Sequence, residues 1–444
     1  MKMNTFYIHT MGCQMNEYDS DFLAQALVRM GYAPTRDPNE ASVILINTCM
    51  VRAKAEQKAM SALGRYSRIK KRRPHIVLGV VGCLAQKKGH LLLDRFPQVD
   101  MVLGPRETGR IAEAVSAVMK NRERTLAISL ETLPPAPSFT TDYFKGRVTG
   151  CISIMQGCNN FCAYCIVPYV RGREVSRPPG DILAEAGRLV SQGVREITLL
   201  GQNVNSYRWK GEGGVKDFTG LLEEMDRLDG LLRLRFTTSH PKDLSDRLIE
   251  CFGRLKILCP HIHLPFQAGS DRILAAMKRD YTRDQYMRLV EKLRRVRPDV
   301  AVTSDVMVGF PGETREDFLL TLDLMERVQF DSLFSFKYSD RSGTLAEKLE
   351  GKVDESEKDR RLRRLQELQR SITLKKNEAL KDRVTEVLVE GFSKKGGQLS
   401  GRTGTNKIVN FDGPPEWIGR VVNVRITAAF VNSLRGVASC EQAA

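Results

Sequence analysis

The 444-residue sequence contains no apolar run that approaches the roughly 18 residues a membrane span requires. Its first ten residues lack the charged-then-apolar design of a secretory signal, so we expect a cytoplasmic protein with no membrane partner. The chain has ten cysteines, which in the cytosol favour metal binding over disulfides. The paired C-x₂-C spacings of a structural zinc site are missing, because no second pair exists.

The length of the chain indicates how many domains it forms, and its charge indicates the class of binding partner. A chain of this length exceeds what one hydrophobic core usually serves, so two or three domains are expected. Lysine and arginine number 69 against 53 acidic residues, a formal net charge of +16. Basic clusters such as Lys70–Arg73 and Arg360–Arg364 favour a polyanionic partner such as nucleic acid over the alternative of a merely basic globular protein.

Three apolar runs in the first hundred residues each end in a cysteine: Cys13, Cys49 and Cys83. Helical patterns follow, as at Tyr18–Met30 and Ala53–Tyr66. This alternation predicts a parallel sheet whose strands end at one edge, where open sheets bind ligands. We therefore expect the three cysteines to converge and hold a cluster. The alternative is three small buried residues at strand ends.

A second cysteine set has the spacing C-x₃-C-x₂-C, formed by Cys158, Cys162 and Cys165 just after the apolar run Cys151–Met155. Three thiolates this close can hold three irons of a four-iron cluster and leave the fourth iron open to a small molecule. The spacing resembles the motif of the radical S-adenosylmethionine (SAM) enzymes. That resemblance implies that SAM binds the open iron and is cleaved there.

Beyond a proline-rich linker at Leu133–Pro137, strand and helix patterns alternate about six times. Helical patterns lie at Asp181–Gln192 and Arg315–Arg327. Six repeats predict an incomplete parallel barrel with its active groups at the carboxyl ends of the strands. The predicted strands are residues 149–155, 194–200, 231–238, 260–266, 301–308 and 331–337.

The last third changes character twice. Val353–Asp382 is charged and helical in period, which predicts a connector packed along the barrel. Short strands at 384–391, 397–403, 407–411 and 420–429 then predict a small antiparallel barrel or sandwich. Its basic side chains are candidate RNA contacts: Lys394, Lys395, Arg402 and Lys407.

The whole chain is thus predicted to be a multidomain α/β protein. The parts are an N-terminal parallel α/β domain at 1–130, a linker at 131–145, a partial (β/α)₆ barrel at 146–352, a connecting helix at 353–380 and a small all-β domain at 381–444.

Together the three segments resemble the radical SAM methylthiotransferases, most closely the MiaB-type tRNA enzymes. Two departures touch only loops: Met50 stands where a small residue is common, and Asp340 with Ser342 where prolines are common. The motifs that carry the resemblance are Gly12–Asn16 with Tyr18–Ser20, Asn47–Cys49 with Arg52 and Lys54–Lys58, Ser153–Cys158, Pro168–Tyr169 with Arg171–Gly172, Leu200–Asn205, Thr237–Pro241, Leu264–Pro265 with Gln267–Ser270, and Ser304–Asp305 with Val308–Thr314.

The resemblance implies two [4Fe-4S] clusters, SAM and a C-terminal TRAM domain that binds RNA. It implies methylthiolation of carbon 2 of N6-isopentenyladenosine at position 37 of tRNA, with two SAM molecules and cluster-associated sulfur. An electron donor of flavodoxin or ferredoxin type and a protein that supplies sulfur or clusters are the implied partners, beside the tRNA anticodon stem-loop.

Strand-end logic and the resemblance nominate SAM contacts at Tyr164, Gln202, Asn203, Ser239, Gln267 and Gly309. His261 and His263 are expected to pack in the barrel interior or touch substrate, and Cys251, Cys259 and Cys440 to be structural. Three alternatives stay open: methylthiolation of a ribosomal-protein side chain, threonylcarbamoyladenosine as the tRNA substrate, and a non-catalytic iron–sulfur protein that binds RNA or carries electrons.

Overall fold

The computed structural model describes residues 4–50, 53–133, 141–211, 214–394 and 396–439. The N-terminal domain is a wholly parallel six-stranded sheet in the order β2-β1-β3-β4-β5-β6. Its elements are β1 Thr5–Thr10, α1 Gln14–Arg29, β2 Ala33–Pro34, β3 Val43–Thr48, α2 Ala53–Arg72, β4 Val77–Gly82, α3 Cys83–Arg95, β5 Met101–Leu103, α4 Ile111–Asn121 and β6 Thr125–Ala127.

The burial of its residues is that of a parallel sheet covered by helices on both faces. Every residue of β3 and of β4 is buried, as expected for central parallel strands covered on both faces. Helices α2 and α3 pack on one face, and α1 and α4 pack on the other. The three predicted strands are confirmed. The additional strands β2, β5 and β6 have only two or three residues, too few to show a sequence pattern.

The central domain has six parallel strands in two sheets, β7-β10-β13 and β14-β15-β16, joined by a bridge between Leu234 and Leu258. The predicted partial barrel is confirmed. Strand β14 is shorter than expected because Pro260 and Pro265 flank it and cannot donate to the ladder. The elements are β7 Thr149–Ser153, β8 Met155–Gln156, α5 Val167–Arg171, β9 Val175–Ser176, α6 Pro179–Ser191, β10 Glu196–Leu200, β11 Arg208–Gly211, β12 Gly214–Asp217, α7 Phe218–Met225, β13 Arg233–Phe236, α8 Asp246–Arg254, β14 His261–His263, α9 Asp271–Ala276, α10 Arg283–Val296, β15 Ala301–Val308, α11 Arg315–Val328 and β16 Ser332–Lys337.

A long helix, α12 (Glu355–Glu378), runs along β16 and is the predicted connector. Although highly charged, it is anchored by buried polar groups. The Arg361 guanidinium pairs with the Glu313 carboxylate at 2.6 Å, and Gln369 donates to the Phe330 carbonyl at 2.9 Å. No helix of the described ranges has the length and apolarity to cross a membrane.

The C-terminal domain is a closed five-stranded barrel in the order β17-β18-β19-β21-β20. Two features correct the expectation of four antiparallel strands: a fifth strand closes the barrel, and it pairs with β19 in parallel. Arg233, which opens β13, donates to the Glu386 carbonyl at 3.2 Å, and Arg235 on the same strand donates to the Thr403 and Gly404 carbonyls, both at 2.8 Å, so this domain closes the amino-terminal end of the central strands. The strands are β17 Val384–Phe392, β18 Leu399–Thr403, β19 Ile408–Phe411, β20 Val421–Ala429 and β21 Leu434–Ala438.

Candidate active site

The N-terminal cysteines lie at the carboxyl ends of three neighbouring strands, as their spacing predicts. Cys13 follows β1 and caps α1, Cys49 follows β3, and Cys83 opens α3 after β4. Glycines make this proximity possible. A Cβ on Gly12 would lie 2.5 Å from the Cys49 Cβ, and one on Gly82 would lie 2.6 Å from a backbone oxygen. Both glycines also adopt positive φ angles that other residues rarely take.

A buried amide network holds this edge. The Asn16 Nδ2 donates to Asn47 Oδ1 at 2.9 Å, and Asn47 Nδ2 donates to the Asn16 carbonyl at 2.7 Å and to Ser20 Oγ at 2.9 Å. The Cys13 thiol in turn lies 3.3 Å from Asn16 Oδ1. Because buried polar groups that are fully paired fix one geometry, the network sets the position of Cys13 against β3.

The surroundings shift the pKa values of Cys13 and Cys83 in opposite directions. A hydrogen bond from Cys49 lowers the pKa of Cys13, and the Arg171 guanidinium lowers it further. Burial raises the pKa of Cys83, with Arg171 opposing that effect. Since a cysteine binds metal as the thiolate, a cation beside the set favours the ligating form.

The second set lies in the loop between β8 and α5, where Cys158, Cys162 and Cys165 border the mouth of the central barrel. Burial raises the pKa of Cys158 and raises that of Cys165 to about 12. The Arg279 Nη1 lies 3.5 Å from the Cys162 sulfur and supplies a buried positive charge. Arg279 has no sequence motif that singles it out, because 117 positions separate it from Cys162.

Both cysteine sets line one cavity of about 2000 Å³. Among the residues the structure describes, no three histidine, cysteine or acidic side chains converge on a point where a single metal ion would sit. The two sets form two three-cysteine rims of this cavity: the N-terminal rim is Cys13, Cys49 and Cys83, and the second rim is Cys158, Cys162 and Cys165. A four-iron cluster is larger than a single metal ion and is held by cysteine sulfurs spread around it, so each open rim suits a cluster. The residues present therefore fit that group at each rim.

Four of the six nominated SAM contacts line this cavity: Tyr164, Gln202, Ser239 and Gln267. The Gln202 Oε1 accepts from the Gly157 N–H, directly before Cys158. The Gln202 Nε2 and the Ser239 Oγ are buried without a hydrogen-bond partner in the described structure. Such groups are rare in folded proteins and mark positions that a bound polar molecule would satisfy.

The structure does not bring Asn203 or Gly309 to the cavity lining described here. Asn203 is buried and donates to the Asp243 carboxylate at 2.7 Å, while its Oδ1 has no hydrogen-bond partner among the described residues. Gly309 donates its N–H to Glu313 at 2.6 Å and packs against the side chain of Lys358 on α12. Both groups make these local contacts, and their assignment as SAM contacts stays a prediction.

The lumen of the central barrel is polar. His261 and His263 both contact the Thr303 hydroxyl at 3.1 Å, and burial lowers the pKa of His261 well below its usual value. On β16, Phe334 pairs in register with Asp305 and remains 53% exposed while lining the cavity. The sequence placed Asp305 in a motif of the resemblance without giving it a role and did not indicate Phe334, although alternation along β15 and β16 could have placed both inside the lumen.

The four side chains predicted to contact RNA differ in their surroundings. Lys394 is exposed, and Lys395 lies outside the described residues. Arg402 pairs with Glu390 at 3.0 Å, and the Lys407 ammonium lies 3.2 Å from Asp331 at the contact between the two barrels. Lys407 therefore faces the central barrel, where the buried Asp331 attracts it, whereas Arg402 pairs with Glu390 of the neighbouring strand β17 within its own barrel.

Three family models match consecutive parts of the chain. Residues 5–104 match "Uncharacterized protein family UPF0004", residues 152–325 match the radical SAM superfamily, and residues 380–438 match the TRAM domain. The radical SAM match covers the Cys158 loop and most of the central barrel.

Among solved structures, the chain is similar to the radical S-adenosylmethionine methyltransferase TsrM from Kitasatospora setae, with a TM-score of 0.58 and 17% identity over 78% of this chain and 77% of that one. At that identity the likeness establishes a shared fold.

Curated relatives are much closer in sequence. The tRNA-2-methylthio-N(6)-dimethylallyladenosine synthase of Syntrophus aciditrophicus is 51% identical over 98% of this chain and 95% of its own length. The synthase of Syntrophobacter fumaroxidans is 52% identical over 97% and 94%. The chain therefore belongs to the radical SAM superfamily and, within it, to the family of the tRNA-2-methylthio-N(6)-dimethylallyladenosine synthases.

Proposed function

We propose that the protein methylthiolates carbon 2 of N6-isopentenyladenosine at position 37 of tRNA, consuming two SAM molecules and cluster-associated sulfur. The observation that carries this proposal is the pair of three-cysteine rims facing one cavity, in a chain half identical to named synthases over nearly their whole length. One rim suits radical generation and the other suits sulfur supply.

Membership of the radical SAM superfamily brings SAM and a [4Fe-4S] cluster, held here by Cys158, Cys162 and Cys165. When bound, these groups supply a carbon-centred radical able to abstract hydrogen from an unreactive carbon. The chain's own contribution is positional. Arg279 supplies positive charge beside the thiolates, and Gln202 and Ser239 offer unpartnered polar atoms for the polar end of SAM.

We assign a second [4Fe-4S] cluster to Cys13, Cys49 and Cys83, as the holder of the sulfur that is inserted. The cation beside this rim and the depressed pKa of Cys13 support a thiolate set. An electron donor of flavodoxin or ferredoxin type and a sulfur or cluster supply protein complete the reaction in the cytosol.

The target nucleotide would enter the lumen. A loop nucleotide can be splayed out of its stack at lower cost than a paired one. Phe334 offers an exposed aromatic face, and Asp305 beside it offers a carboxylate that can accept from the remaining N6–H of isopentenyladenine. The same aromatic face suits the apolar isopentenyl group.

The C-terminal barrel supports a role in holding the tRNA backbone through outward groups such as Lys394. Since Lys407 is paired with Asp331 of the central domain, we give it the separate task of docking this barrel to the central one, whereas the Arg402–Glu390 pair lies within the C-terminal barrel. Phosphate contacts of exposed lysines would make tRNA binding weaken with salt.

The test is a single incubation of anaerobically reconstituted protein with reductant, SAM, sulfide and tRNA that carries isopentenyladenosine. Mass spectrometry of the digested tRNA should reveal a methylthio-shifted adenosine, accompanied by 5′-deoxyadenosine. A Cys162→Ala variant is the matched control and should form neither. Deoxyadenosine without the shifted nucleoside would direct attention to threonylcarbamoyladenosine or a ribosomal-protein side chain. Neither product from cluster-replete protein would favour a non-catalytic iron–sulfur protein.

A further inference from the structure

One side chain of the central domain lies within the N-terminal cysteine rim. Arg171 is the last residue of α5, yet its guanidinium lies beside Cys13 and Cys83 and lines the shared cavity. Its Nη2 donates to the Asp19 carboxylate of α1 at 2.7 Å. Both partners of this ion pair are only 3% exposed. A buried pair of this kind is retained at a desolvation cost, which calls for a reason.

The backbone around Arg171 is clamped. The Arg106 Nε donates to the Arg171 carbonyl at 3.0 Å, and its Nη2 donates to the Arg173 carbonyl at 2.6 Å. A Cβ on the intervening Gly172 would lie 2.9 Å from the same guanidinium. The clamp therefore fixes where the Arg171 side chain starts, and Asp19 fixes where it ends.

One donor of this fixed guanidinium is unused. The Nη1 of Arg171 is buried and has no hydrogen-bond partner among the described residues. Leaving a buried donor of a charged group unpaired is costly, and native proteins avoid it unless a ligand or water completes the site. The Cys83 thiol lies within hydrogen-bond reach of the guanidinium, but sulfur is a weak acceptor, so a bound anion would satisfy the Nη1 group better.

We propose that Arg171 is a positioning residue that binds the anionic sulfur, as hydrosulfide or methanethiolate, at the N-terminal cysteine rim. The inference rests on the proposed second cluster and goes beyond it by naming what holds the sulfur. The guanidinium N–H groups suit a compact anion, and Asp19 balances the charge of the guanidinium when no anion is bound.

A purely structural role for the Arg171–Asp19 pair makes a different prediction. If the pair only held the domains together, breaking it from either side would have the same effect. If Arg171 binds an anion, the two sides oppose each other. Removing the guanidinium weakens anion binding, whereas removing the negative charge of Asp19 strengthens it, because like charges repel in a site of low dielectric.

The experiment uses the full chain with Cys158, Cys162 and Cys165 replaced by alanine, so that only the N-terminal cluster is reconstituted. Sodium sulfide and sodium methanethiolate are titrated separately, and the change in the electron paramagnetic resonance spectrum of the reduced cluster gives a Kd for each. Arg171→Met should raise the Kd roughly ten- to hundredfold, the value of a hydrogen bond to a charged group. Asp19→Asn should lower it severalfold.

Equal Kd values for the parent and Arg171→Met overturn the proposal, as does weakening of similar size in both variants. If Arg171→Met does not retain its iron, Asp19→Asn decides the question alone: tighter binding supports the proposal and weaker binding refutes it. A response to sulfide but not to methanethiolate identifies the unmethylated form as the ligand. A parent chain with no cluster removes both this inference and the second cluster, whereas the tRNA product assay tests the reaction independently.

Discussion

Replacement of Phe334 by alanine tests whether the barrel lumen receives the modified base. Phe334 is 53% exposed, so truncation should cost little stability. About half of the roughly 200 Å² that a phenylalanine buries when fully covered remains available to a ligand, which is worth about 2.5 kcal/mol at ~25 cal/mol per Å². Stacking of a base on an aromatic side chain is worth a similar ~1–3 kcal/mol.

At about 2 kcal/mol, Phe334→Ala should lower kcat/KM for an isopentenyladenosine-containing anticodon stem-loop roughly thirtyfold. Because the cysteine rims are untouched, 5′-deoxyadenosine formation without RNA should stay at the parent level. Phe334→Tyr should retain most activity, and Leu320→Ala, a 41% exposed site on α11 away from the cavity lining, is the matched control. A Phe334→Ala enzyme within about twofold of the parent, with its clusters intact, would refute the lumen as the base site.

Three further predictions address the sulfur rim, the barrel contact and acid stability. Cys13→Ala should reduce iron from about eight to about four per chain and abolish methylthiolation while deoxyadenosine still forms; unchanged iron would contradict the second cluster. Arg235→Met leaves the carboxylate of Glu196, which is 5% exposed, without its partner and should lower the free energy that holds the C-terminal barrel in place by about 3–5 kcal/mol. The loss should be measured as faster hydrogen exchange in β18. Arg195→Met, at an exposed contact, is the control and should leave that exchange unchanged. Although burial opposes the shift, hydrogen bonds from Ser270 and the Thr314 N–H lower the pKa of Asp317 to about 2. The contribution of the Asp317 carboxylate to stability is therefore complete above about pH 4 and lost towards pH 2. In the apo protein, α11 should therefore exchange its amide hydrogens faster in Asp317→Asn than in the parent, with the largest difference at about pH 7 and a smaller one from about pH 4 to pH 2. A difference that stays constant with pH would contradict the lowered pKa of Asp317.

Much of the architecture could be predicted because its signals are local. Apolar runs that end in Cys13, Cys49 and Cys83 specify parallel strands, and parallel strands place their carboxyl ends together. The fifth strand of the C-terminal barrel, Leu434–Ala438, was missed because its alternation of buried and exposed residues includes Gly436 on the buried face. A glycine there carries no hydrophobic signal, although a Cβ would lie only 2.4 Å from Val424.

The site could be predicted less completely, because its details depend on partners distant in sequence. Gln202 and Asn203 are neighbours at one strand end, and only Gln202 lines the cavity, because Asp243 binds the Asn203 amide. Lys407 is a candidate RNA contact at the start of a predicted strand in the sequence, and in the fold its ammonium lies 3.2 Å from Asp331 of the central domain. No local pattern encodes contacts made across 40 or 76 positions.

Helix α1 explains how two rims on different domains come to share one cavity. It begins directly after Cys13, and its first turns face the central domain. Arg177 donates to the Tyr18 hydroxyl at 3.2 Å, Arg171 pairs with Asp19, and Arg147 pairs with Asp21 at 3.0 Å. Through these three contacts, side chains of the central domain fix the position of α1. Because α1 begins directly after Cys13, it in turn fixes the position of Cys13 relative to Cys158, Cys162 and Cys165. The separation of the proposed sulfur source and the proposed radical source is thus set by packed side chains before substrate arrives, which is the pre-organisation that a reaction between two bound groups requires.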